Sequence, residues 1–68
     1  MTHSAFPATD RWLRIGDLTV LLGLSAATIY RNLARGDFPQ PVRLSVRTVR
    51  WRESIVRAWM EEREQATA

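Results

Sequence analysis

The chain has 68 residues, ten arginines against seven acidic residues, and a formal net charge of +3. That length supports one small, marginally stable domain, which buries only about 60% of its unfolded surface. With no cysteine and with His3 as the single histidine, disulfides, thiol chemistry and a clustered structural metal are excluded.

From the N-terminus, Met1 to Asp10 is polar, contains Pro7 and lacks periodicity, which predicts a mobile tail over residues 1–10. It has no basic start followed by an apolar stretch, so it does not read as a signal peptide. No apolar run approaches the roughly 18 residues of a membrane span; no membrane contact and a cytoplasmic location are expected. Arg11 to Arg14 alternates and is expected to form a short strand or an extended lead-in. Ile15, Leu18, Leu21 and Leu22 recur at helical spacing and predict a first helix from about Gly16 to Leu22. Asp17 falls in its first turn, where a carboxylate suits the helix dipole, and Gly23 stands just past its end.

Ser25 is a good N-cap for a second helix over Ala26 to Arg35. Ala26, Ile29 and Leu33 line one face of it, Thr28, Arg31 and Arg35 the opposite one. Gly36 ends it, and Asp37 to Pro41, with two prolines, cannot be helix. Phe38 is expected to plug the core there. Pro41 to Leu44 and Thr48 to Arg52 alternate as a hairpin, with Val42, Leu44, Val49 and Trp51 expected inward and Arg43 and Arg50 outward. The tip, Ser45-Val46-Arg47, lacks the glycine or asparagine that tight hairpin turns favour. A third helix is predicted from Glu53 to Glu64, burying Ile55, Ala58 and Trp59, with residues 65–68 frayed. Trp51 and Trp59 are expected in the core, and Trp12 against the domain edge or a partner.

Charge is unevenly spread. Residues 25–52 hold Arg31, Arg35, Arg43, Arg47, Arg50 and Arg52 against Asp37 alone, a net of +5. Residues 53–68 hold Arg57 and Arg63 against Glu53, Glu61, Glu62 and Glu64, a net of −2. A GC-rich genome accounts for arginine in place of lysine but not for this clustering, which is the footprint of a polyanionic partner. Two short helices joined by Gly-Leu-Ser form a helix-turn-helix pattern, whose second helix fits the DNA major groove. Arg31 is the candidate for bidentate guanine recognition. Ala27 allows close approach or a thymine-methyl contact, Thr28 meets a base or phosphate, Tyr30 offers a hydroxyl to phosphate, and Arg35 meets the backbone. Arg43, Arg47 and Arg50 are candidates for a clamp on the adjacent backbone or minor groove. Asp17, Asp37 and Glu53 occupy helix starts and a turn; no nucleophile–base pair, phosphate loop or cofactor motif is present, and no enzyme is expected.

The run Gly23-Leu24-Ser25-Ala26-Ala27-Thr28-Ile29-Tyr30-Arg31 is followed by Gly36-Asp37-Phe38-Pro39 and Pro41-Val42-Arg43-Leu44. Together with Val49-Arg50-Trp51-Arg52-Glu53-Ser54 and Ala58-Trp59, it resembles the AlpA family of phage-type regulators over roughly Leu13 to Glu64. The resemblance implies a mainly α winged helix-turn-helix: three helices with a two-stranded wing between the second and third, related to MerR-like and excisionase-like domains. It places Ser25, Thr28, Tyr30 and Arg31 on the recognition helix and Arg47 on the wing, in a domain spanning 11–64. The sequence departs from the pattern at Ser45 and Val46, where the wing usually has glycine, and at Ala26 or Ala27, where a polar or charged residue is usual.

The expected function is a sequence-specific regulator of transcription that binds double-stranded DNA in a prophage or other mobile element. A single module gives a small interface of about 600–1,000 Å², so a homodimer or cooperative homo-oligomer on DNA is expected, with an integrase or RNA polymerase as further candidate partners. The alternatives are an excisionase-like architectural DNA-binding protein and a protein-interaction module with a basic face.

Overall fold

The computed structural model describes residues 10–67; the tail expected over residues 1–10, apart from Asp10, and the final residue lie outside them. In chain order the elements are β1 (Trp12–Leu13), α1 (Ile15–Leu22), α2 (Ala26–Ala34), β2 (Val42–Ser45), β3 (Thr48–Arg52) and α3 (Glu53–Thr67). This is a winged helix-turn-helix, with the β2–β3 wing between the second and third helices. β1 adds a third strand, so the sheet order is β1-β3-β2 and both pairings are antiparallel.

Local chemistry sets the helix ends. The Arg14 backbone N–H donates to Asp17 Oδ2 at 2.9 Å, closing the first turn of α1. Gly23 ends α1 at φ 67°, a left-handed conformation that L side chains rarely adopt. Its N–H donates to the Thr19 carbonyl at 2.9 Å. Ser25 Oγ then accepts from the Thr28 N–H at 3.2 Å, as an N-cap should. At the far end of α2 the Gly36 N–H reaches Leu33 O and the Asp37 N–H reaches Asn32 O, at 3.1 and 2.8 Å. With Gly36 at φ 78°, this is the Schellman arrangement.

Leu13, Leu18, Ile29, Phe38, Trp51 and Val56 form the buried core, drawing one residue from every element except β2 and one from the loop after α2. Phe38 is the plug: its ring meets Trp51 and Trp59 edge-on, with centroids 6.2 and 4.9 Å away. The Trp51 indole N–H donates to Pro39 O at 2.8 Å, and the Trp59 indole N–H to Asp37 O at 3.1 Å. The proline-containing loop is thereby satisfied by side chains where it has no backbone ladder.

Three expectations need correction. Val42 and Leu44 do not point inward; they are 44% and 48% exposed. Val42 opposes Arg50, and Arg43 opposes Val49. Directly opposed residues share a sheet face, so Val42 lies with Arg50 and Arg43 with Val49. Arg43 and Arg50 therefore occupy opposite faces of the wing, not a common outer one. The second correction concerns α3, which buries Val56 and packs Trp59 and Met60 on the core. Ile55 is 44% exposed; with Ala58 it lines a shallow groove against Asp37–Pro39. Finally, α3 runs to Thr67, past the expected helix end at Glu64.

Asp10 belongs to the fold. Its carboxylate is 2% exposed and accepts from the Ser54 N–H and the Ser54 hydroxyl, at 2.8 Å each. Arg52 immediately precedes α3, and a guanidinium has no acceptor to cap a helix; Asp10 supplies that acceptor from the other end of the chain.

Candidate nucleic-acid interface

α2 presents one face outward because Ile29 alone is fully buried and Leu33 packs partly against the core. Ser25, Ala27, Tyr30 and Arg31 are exposed and Thr28 is half-buried. Ser25, Thr28 and Arg31 lie three residues apart, on one helix face, and the structure brings them into contact. Ser25 Oγ and Thr28 Oγ1 are 2.9 Å apart. Arg31 Nη2 donates to Thr28 Oγ1 at 3.1 Å. Arg35 is turned away from this group: its Nη2 donates to Asn32 Oδ1 at 2.7 Å, and its Nε lies 3.6 Å from Asp37 Oδ2. Asn32 was not singled out in the sequence, although its three-residue spacing from Arg35 is the signal for such a pair.

On the wing, Arg43 Nη1 donates to Val46 O at 2.8 Å. This bond closes the tip without a glycine. Among the described residues no non-glycine has positive φ, so the Val46–Arg47 turn is not one of the primed hairpin turns. A register irregularity between Arg43 and Ser45 provides the strand adjustment those turns would otherwise supply. Arg47 is exposed at the tip. Arg50 is half-buried and donates through Nη1 to Val49 O at 2.8 Å.

Some of the arginines meet a carboxylate and others do not. Glu53 Oε1 accepts from Arg11 Nε at 2.9 Å, and Glu53 Oε2 lies 2.7 Å from Arg57 Nη2. Those hydrogen bonds, Arg11's first, hold the Glu53 carboxyl below its ordinary range; the same contact raises the Arg11 guanidinium. Asp10 lies 3.7 Å from Arg52, whose guanidinium also stacks 4.2 Å above the Trp12 ring. These pairs gather where β1 meets the start of α3. By contrast, Arg31, Arg43, Arg47 and Arg50 form no ion pair among the described residues. Asp10 and the Arg11–Glu53 pair escaped the sequence because their partners are distant in the chain, whereas Glu53 and Arg57 carried the four-residue helical spacing that could have found them.

Among the described residues no group of three or more histidine, cysteine or acidic side chains is placed to hold a metal. None of their helices is long and apolar enough to cross a membrane.

The fold and this exposed helix define a small winged helix-turn-helix protein. Residues 11–64 match the family model described as prophage CP4-57 regulatory protein (AlpA), and the chain belongs to that family of phage regulators. It is also similar to the uncharacterized protein ORF88 of Enterobacteria phage P4, with 43% identity over 54 residues. That alignment covers 79% of this chain and 61% of the phage protein, so the chain spans about three fifths of its relative's length. No solved structure matches the chain.

Proposed function

We propose that this protein is a sequence-specific, double-stranded-DNA-binding regulator of transcription in a prophage or related mobile element. The observation that carries the reading is the sorting of charge. Asp10 and Glu53 pair with Arg11, Arg52 and Arg57 at the start of α3, while Arg31 on α2 and Arg43, Arg47 and Arg50 on the wing, like Arg14 and Arg63 elsewhere, form no ion pair among the described residues. Unmatched guanidiniums on a helix and a wing suit a phosphate backbone, and the family is one of regulators.

In this reading α2 enters the major groove. Arg31 meets a base edge, Ala27 and Thr28 lie close to the bases, and Ser25 and Tyr30 approach phosphates. Arg43, Arg47 and Arg50 hold the flanking backbone from the two faces and the tip of the wing. Arg35, already beside Asp37, contributes less charge. One such module offers a small footprint, so the protein acts as a dimer or as cooperative copies on repeated half-sites.

The test is selection of binding sites from randomised duplex DNA, followed by titration of the selected duplex at several salt concentrations. Arg31→Ala is expected to lose about 1–3 kcal/mol and relax preference at one base pair. Arg47→Ala weakens all sequences alike and flattens the salt dependence. Failure to enrich any sequence would refute the reading. Light scattering with and without the selected duplex measures the copy number; one copy on one half-site at saturation would exclude cooperative assembly.

A further inference from the structure

We infer that Thr28 is a positioning residue, whose hydroxyl holds the Arg31 guanidinium in the pose that selects guanine; this rests on the proposal that α2 reads the major groove. Arg31 is an exposed, rotamer-rich side chain with no carboxylate partner among the described residues. Left alone it would sample many poses, each offering its donors in a different direction. Thr28 has the opposite character. It is half-buried, and β-branching leaves its side chain few orientations. Its Oγ1 is fixed further by Ser25 Oγ at 2.9 Å. Arg31 Nη2 donates to that fixed oxygen at 3.1 Å, which ties the mobile end of the long side chain to the stiff one.

Hydrogen-bond accounting specifies the ligand. A hydroxyl has one proton and two lone pairs. One lone pair of Thr28 Oγ1 receives Arg31. Either the second lone pair or the proton is used toward Ser25, whose own oxygen also accepts the Thr28 N–H at 3.2 Å. The donor capacity that remains on this face is chiefly the rest of the guanidinium, which cannot accept. In the major groove guanine presents the N7 and O6 acceptor pair; adenine and cytosine each present an amino donor there, and thymine one acceptor beside a methyl. A donor-only fork held still therefore favours guanine, and the same fork released discriminates less.

The experiment compares wild type, Thr28→Val, Thr28→Ser, Arg31→Ala and the Thr28→Val/Arg31→Ala double variant. The probes are the duplex selected from the random pool by wild type and its derivatives with each guanine replaced by 7-deazaguanine or adenine. Thr28→Val keeps the N–H that Ser25 caps and removes only the hydroxyl. It is expected to cut the preference for one guanine roughly threefold to tenfold, the scale for ordering one rotamer-rich side chain. Thr28→Ser should restore that preference, since it returns the oxygen. In the Arg31→Ala background Thr28→Val should change nothing further. Two outcomes overturn the positioning role alone: effects of the two changes that multiply independently, or a Thr28→Ser variant no better than Thr28→Val. If Arg31→Ala leaves every base preference intact, the groove-reading proposal falls and the role of Thr28 falls with it. Thermal melts of each variant separate lost folding from lost positioning; if Thr28→Val does not fold, Thr28→Ala, which also lacks the hydroxyl and suits a helix, takes its place in every comparison.

Discussion

Asp10 and Ser54 are separated by 44 positions, yet the Asp10 carboxylate accepts both the backbone N–H and the hydroxyl of Ser54 at 2.8 Å. Helix α3 is thus capped from the far end of the chain. Loss of a helix N-cap acceptor costs about 0.5–2 kcal/mol, and the Arg52 guanidinium 3.7 Å away would lose its carboxylate too. Asp10→Ala is therefore expected to lower stability by about 1–2 kcal/mol. For a domain of this size that is a fall of roughly 5–15 °C in melting temperature. Thermal and urea denaturation of Asp10→Ala and Ser54→Ala would check it; an unchanged midpoint in both would deny the cap any role in stability.

Glu53 sets an acid limit on the same corner. Its hydrogen bonds from Arg11 and Arg57 hold its pKa below the ordinary value near 4.5. A carboxyl whose folded pKa is depressed contributes stability above its unfolded pKa and loses it as pH falls through the folded one. Wild type should thus lose stability progressively below about pH 4.5, and Glu53→Gln should lose less over that window. Added salt should shrink the difference, because the arginines are exposed. The measurement is the urea midpoint against pH at two ionic strengths; superimposable acid limbs would contradict the assignment.

Phe38 joins the loop after α2 to β3 and α3 through its contacts with Trp51 and Trp59. Truncating a buried phenylalanine to alanine costs about 3–5 kcal/mol, which approaches the whole stability of a small domain. Phe38→Ala is expected to be largely unfolded at 37 °C, and Phe38→Leu to fold with a lower midpoint. Far-ultraviolet circular dichroism and tryptophan emission report both; a native-like Phe38→Ala spectrum would show that the plug is dispensable.

At the wing, the Arg43 bond to Val46 O substitutes for a glycine turn. Arg43→Ala should loosen the tip while leaving the core intact. Amide exchange should rise at residues 44–47 by about the factor expected for one hydrogen bond, roughly threefold to tenfold, with little change in melting temperature. Exchange mapped by mass spectrometry would test this, and an unaffected tip would assign Arg43 wholly to charge.

What was legible in the chain was whatever carried a local signal. Gly23, Ser25 and Gly36 marked the helix ends because positive φ and an N-cap each demand particular residue types. Phe38, Trp51 and Trp59 stood at positions where alternation and spacing pointed to the core. The faces of β2 were misassigned because alternation separates two faces without saying which meets the core. β2 overhangs the core, so both its faces are wet. Helix α3 was rotated in the same way: its apolar positions, Ile55, Val56, Ala58, Trp59 and Met60, spread over somewhat more than half of the helix circumference, and packing, not pattern, chose Val56. At the candidate interface the residue types were visible in the sequence. The tether from Arg31 to Thr28 and the diversion of Arg35 to Asn32 and Asp37 were not, since each depends on a chosen rotamer.

The loop leaving α2 is fastened by groups that come late in the chain. Trp51 reaches the carbonyl of Pro39, and Trp59 and Arg63 both reach the carbonyl of Asp37, the last at 3.1 Å. During synthesis, therefore, the helix-turn-helix is complete in sequence well before it can be secured. A ribosome-bound fragment ending before Trp59 would carry every residue of α2 while lacking both side chains that reach the Asp37 carbonyl. The DNA binding proposed for α2 should then appear late, once α3 has emerged far enough to fold back onto that loop.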